Sequence, residues 1–122
     1  MDQITNKHLE SFISELVKNN HRVKKAFLFG SYAKNTDNPE SDIDIAFVIE
    51  KLTDEEKFDF QVQLLLLASK YDTRIEPHVI STDDLNSNNP FVVEILKTGI
   101  EINTHSPLIA NEPREDYTNP DK

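Results

Sequence analysis

The segment Ser41 to Glu50 reads S-D-I-D-I-A-F-V-I-E, and its alternation constrains the fold more than any other stretch of the chain. Successive side chains of a strand point to opposite faces. Asp42, Asp44, Ala46 and Val48 therefore share one side, and Ile43, Ile45, Phe47 and Ile49 share the other. The isoleucine face is core and must be covered. The opposite face presents two carboxylates roughly 6.5–7 Å apart along the strand. Side chains at that spacing can converge on one or two hard cations, which prefer oxygen ligands, or can simply be a solvated strand face.

Elements of both periods surround this strand. Leu9, Phe12, Ile13, Leu16 and Val17 recur at helical spacing, which predicts a first helix from about Thr5 to Asn19. Val23 to Phe29 reads as a short buried strand. Thr53 and Glu56 form a capping-box pattern that opens a long helix to about Lys70. Its run Leu64 to Leu67 is apolar all round, which predicts burial on more than one side. Arg74 to Ser81 reads as a third strand, with Pro77 best suited to an edge or a bulge. Asn89 as cap, Pro90 at the first helical position and Gly99 past the end bracket a short last helix. Strands mixed with helices at this size give an α/β (α+β) class, a small mixed β-sheet packed by helices.

The 122 residues suffice for one domain with one core. We place that domain at 1–103. Residues 104–122 carry Pro107, Pro113 and Pro120 among polar neighbours and read as a flexible C-terminal tail. The apolar runs are too short to span a bilayer, and the N-terminus does not read as a signal peptide. With no cysteine, disulfide scaffolds and thiolate zinc sites are excluded, and a cytoplasmic location is expected. A net charge of −9 argues against sequence-tolerant nucleic-acid binding, which needs a basic footprint.

Two further pieces bear on chemistry. Gly30 and Ser31 come directly after the first strand, where the chain must turn. Without a Cβ, Gly30 would let a phosphate approach the main chain, and Ser31 adds a hydroxyl donor. A triphosphate held there could reach metal ions held by Asp42 and Asp44, which would neutralise its charge. On the third strand Arg74, Glu76, His78 and Ile80 share a face. Glu76, flanked by Ile75 and Pro77, could accept the proton of an attacking hydroxyl, or could be a surface acid paired with Arg74 or Lys70. Lys24, Lys25 and Lys34 read as solvating lysines. Tyr32 could stack on a base or simply pack. The four histidines lack metal-ligand spacing, although His78 lies two residues from Glu76 on one face.

G-S and then S-D-I-D-I, with an acidic residue on a later strand, resembles the nucleotidyltransferase superfamily of DNA polymerase β. At this length the chain most resembles the minimal nucleotidyltransferases, single-domain members often paired with a HEPN-domain partner. The likeness covers roughly Val23 to Ser81. It implies that Asp42 and Asp44 bind Mg²⁺, that Glu76 completes the catalytic and metal site, and that Gly30 and Ser31 contact the phosphates of a nucleoside triphosphate. Two positions depart from the common pattern: Asn35 stands where many members have glycine, and Glu76 where aspartate is usual.

The activity so implied is transfer of a nucleotidyl group, AMP from ATP, to a hydroxyl. A HEPN toxin is one acceptor, with this chain acting as its antitoxin. Two other readings stay open: a non-catalytic antitoxin that neutralises a HEPN partner by contact, and a subunit of an antibiotic-modifying transferase. The oligomeric state, a homo-oligomer included, is left open, and no membrane association is expected.

Overall fold

The first helix begins with a cap that the hydrophobic period does not reveal. In the computed structural model, which describes residues 2–33 and 41–104, α1 spans Gln3–Asn19. Asp2 accepts the Thr5 backbone N–H at 2.7 Å, so the helix starts ahead of Thr5. Leu9, Phe12, Ile13 and Leu16 form its buried face, as their spacing requires.

The sheet order is β3-β2-β1-β4. Strand β1 (Val23–Phe29) runs antiparallel to β2 (Ile43–Ile49). From β2 the chain crosses through α2 (Asp54–Ser69) into β3 (Ile75–Ser81), which lies parallel to β2. A helix in that connection is what a parallel pair needs, because a tight turn cannot reverse the chain twice. The Thr53–Glu56 capping box forms in both directions. Arg22 reinforces it with two bonds to the Glu56 carboxylate, at 3.0 and 2.9 Å.

Both faces of the sheet are covered. Ile43, Ile45, Phe47 and Ile49 pack with Phe12, Ile13 and Leu16 of α1 and with Leu64 and Ala68 of α2. Phe12 meets Phe47 edge-on, with ring centroids 5.6 Å apart. On the other face Ala46, Val48, Phe27 and Ile80 pack under Val92 and Ile95 of α3 (Pro90–Thr98). The Asn89 side chain caps α3 and Pro90 stands at its first turn, as the sequence suggests.

The apolar run of α2 departs from expectation. Only Leu64 and Ala68 of this helix are buried, while Leu65 and Leu66 are 49% and 63% exposed. The helix lies on one sheet face and α3 occupies the other, so its outer side has nothing among the described residues to pack against. The 3-10 helix at Thr82–Asn86 and the strand β4 (Ile100–Ile102) have no counterpart in the sequence pattern. Beginning right after Gly99, β4 pairs with β1 along Ala26 to Leu28.

Pro77 does lie on an edge strand, where its missing N–H costs no ladder bond. Gln61 of α2 covers that edge: its amide N–H donates to the Pro77 carbonyl, and its oxygen accepts from the Val79 N–H at 3.2 Å. No helix among the described residues is long and apolar enough to cross a membrane. The expected tail, apart from the buried Thr104, lies outside the described residues.

Candidate active site

Strand register brings the carboxylates together. In the parallel β2–β3 pair Asp44 lies directly opposite Glu76, and on the other side of β2 Asp44 pairs with Phe29. Asp44 thus occupies the central position, at the end of the sheet where β1 finishes. The backbone N–H of Ile43 donates to the Arg74 carbonyl at 2.8 Å and fixes the start of both strands. Asp42, one residue before β2, is exposed, and its charge adds to that of Asp44 at Glu76.

This crowding sets the electrostatics. Glu76 has a pKa above the ordinary glutamate value, first through loss of solvent and then through the charges of Asp42 and Asp44. His78 acts in the opposite sense. Pairing of Glu76 with Arg74 or Lys70 was the alternative; Arg74 instead holds Asp72 at 2.8 Å, and Lys70 lies 3.7 Å from Glu15.

Gly30 ends β1 with φ +74°, in the left-handed region that favours glycine. The turn is closed by the Ala33 N–H donating to the Gly30 carbonyl at 3.1 Å, with Ser31 and Tyr32 at its centre. A Cβ on Gly30 would stand 2.5 Å from Asp44 Oδ2, so glycine here makes room for the carboxylate. Lys34 and Asn35, just past the turn, lie outside the described residues.

Tyr32 packs. It is 7% exposed, and its hydroxyl accepts from Arg74 Nη1 at 3.3 Å. Arg74 also donates to Thr5 Oγ1 at 2.7 Å and to both Asp72 oxygens, at 3.1 and 2.8 Å. This guanidinium, with its own backbone N–H and His8 adding to it, holds Asp72 well below the usual carboxylate range. One arginine therefore ties the turn after β1, the start of α1 and the approach to β3.

His78 is the residue that the sequence flagged least clearly. Its Nε2 lies 3.3 Å from Asp44 Oδ1. One donor atom each from Asp44, Glu76 and His78 falls within 4.8 Å of the others. Ligands on opposite sides of a divalent ion bound at about 2.0–2.6 Å stand about 4.0–5.2 Å apart, so this set is compact enough to share one. An oxygen-rich group of this kind fits a divalent cation. The signal available beforehand was the two-residue spacing from Glu76. Lys24 is removed from the site, since it pairs with Glu50 at 3.3 Å near the opposite end of β1.

Residues 12–107 match the family model described as Polymerase beta, Nucleotidyltransferase. The chain belongs to this family. Its matched span takes in Gly30, Ser31, Asp42, Asp44 and Glu76. Two solved structures share the nucleotidyltransferase fold. A candidate nucleotidyltransferase from Sulfolobus solfataricus aligns with TM-score 0.59 at 18% identity, over 80% of this chain and 78% of its own. A toxin–antitoxin structure with AMP-PNP aligns with TM-score 0.50 at 22% identity, over 79% of this chain and 70% of its own. No curated protein matches the nucleotidyltransferase chain.

Proposed function

We propose that this nucleotidyltransferase transfers AMP from ATP to a hydroxyl on a partner protein, with Mg²⁺ or a similar divalent ion at Asp42, Asp44 and Glu76. The observation that carries the reading is the facing of Asp44 and Glu76 across β2 and β3, with Asp42 beside them and the Gly30 turn against Asp44. A divalent cation held there would offset the triphosphate charge and that of the leaving pyrophosphate.

The chain's own residues supply the rest. The turn at Gly30 and Ser31 is the place for backbone and hydroxyl donors to the phosphates. Glu76, facing Asp44 across the two strands, is the group to take the proton of the attacking hydroxyl. The acceptor oxygen forms a bond to the α-phosphorus, the bond from that phosphorus to the bridging oxygen breaks, and pyrophosphate leaves. The similar toxin–antitoxin structure with AMP-PNP motivates ATP as the first nucleotide and a toxin protein as the first acceptor to test, and the sequence resemblance makes a HEPN-domain toxin the one to try.

A second reading, an antitoxin that acts by contact alone, is favoured by the exposed Phe58, Leu65 and Leu66 on α2. One experiment separates the two. The chain and its toxin partner are incubated with Mg²⁺ and ATP labelled at the α-phosphate. Transfer of label to the partner, lost in Asp44→Asn while the complex persists, supports the enzyme. Neutralisation without label, equally good in Asp44→Asn, overturns it.

A further inference from the structure

His78 is clamped by aromatic rings beside Asp44. Its ring centroid lies 5.2 Å from that of Phe29 and 5.8 Å from that of Phe91, and those two rings stand edge-on at 5.7 Å. Phe29 comes from the end of β1 and Phe91 from the first turn of α3, so three separate elements fix the imidazole plane. That plane directs Nε2 at Asp44 Oδ1, and the side chains of His78 and Asp44 are 34% and 26% exposed.

Two atoms that bind one metal at about 2.0–2.2 Å stand about 2.8–3.6 Å apart, from octahedral to tetrahedral angles. The Nε2–Oδ1 separation of 3.3 Å falls inside that interval. Asp44 and Glu76 are already juxtaposed by register, so the imidazole needs no rearrangement of the backbone to join them.

From this geometry we infer that His78 is a metal ligand beside Asp44 and Glu76, adding an imidazole to the carboxylate site so that it prefers a first-row transition ion such as Mn²⁺ to Mg²⁺. Mn²⁺, the first ion of the Irving–Williams series, is largely an oxygen binder but accepts imidazole more readily than Mg²⁺, which favours oxygen donors and keeps its waters. The inference rests on the cation site proposed above and names its nitrogen donor. A hydrogen bond from His78 to Asp44 is the competing role, and Gln can imitate it.

The test uses the full chain, loaded with Mn²⁺ or Mg²⁺ alone, without nucleotide. Electron spin-echo modulation on the Mn²⁺ form reads nitrogen coordination directly, and calorimetry gives both affinities. The wild type should show ¹⁴N modulation, and His78→Ala and His78→Gln should both lose it. Mn²⁺ affinity should fall about tenfold or more in each variant and Mg²⁺ affinity much less, narrowing the Mn²⁺ preference. Mn²⁺ bound through Asp44 without ¹⁴N modulation overturns the ligand role and leaves the carboxylate site standing, as does an unchanged Mn²⁺ preference in His78→Gln. Binding of neither ion, or binding indifferent to Asp44→Asn, overturns both readings.

Discussion

Gly30 leaves room for the Asp44 carboxylate and for nothing larger than hydrogen, since a Cβ would meet Oδ2 at 2.5 Å. Gly30 follows directly on β1, and Asp44 stands in the neighbouring β2. Gly30→Ala should therefore harm the site in two ways. A side chain at φ +74° costs about 1–3 kcal/mol of stability, read by urea unfolding. Transfer activity should fall by about tenfold or more at a temperature where the variant is still folded, because Asp44 must move. Full activity in folded Gly30→Ala would contradict this.

Arg74 should matter more to architecture than to chemistry. Arg74→Ala removes bonds to Asp72, Thr5 and Tyr32 and leaves the Asp72 carboxylate without its main partner. Denaturant unfolding should show a loss of about 1.5–3 kcal/mol. Arg74→Lys should recover only part of it, since an ammonium cannot hold three partners in one plane.

The Arg22–Glu56 pair gives a pH dependence with a definite sign. Hydrogen bonding to Arg22, with the Thr53 amide adding to it, lowers the Glu56 pKa to about 2. Its stabilisation is complete above the unfolded carboxylate value of about 4.3 and disappears as pH falls toward 2. Thermal melts between pH 5 and 2 should show a steeper fall for wild type than for Glu56→Gln, which keeps the capping geometry without the charge. Parallel curves would show that the pair is not the source.

Gln61→Leu should destabilise the chain by about 1–2 kcal/mol, because two backbone groups of β3 exchange a protein partner for water or for none. Amide exchange at Val79 should speed up more than at Val48 in the neighbouring strand.

The elements with a local cause could be read in advance, and those with a tertiary cause could not. Asn89, Pro90 and Gly99 each act within their own helix, and so do Thr53 and Glu56. β4 exists because β1 offers a free edge, and three residues are too few for any periodicity to show. The exposed leucines of α2 reflect where α3 packs, which no window of sequence contains. At the site, alternation alone grouped Asp42 with Asp44 and Glu76 with His78. That Asp44 faces Glu76 depends on the register of a parallel pair closed through a whole helix. Likewise, the left-handed Gly30 was chosen by its neighbour Asp44 rather than by an approaching phosphate alone.

The Gln61 clip also decides how this protein can be approached. An incoming strand needs free backbone donors and acceptors along an edge, and this is how many sheets recruit peptides or aggregate. On β3 Pro77 offers no N–H, while its carbonyl and the Val79 N–H are already engaged. The edge beside Glu76 is thus closed to templated growth. A macromolecule that reaches this cleft from the β3 side must be recognised through its side chains, and it leaves the carboxylates uncovered by any added strand.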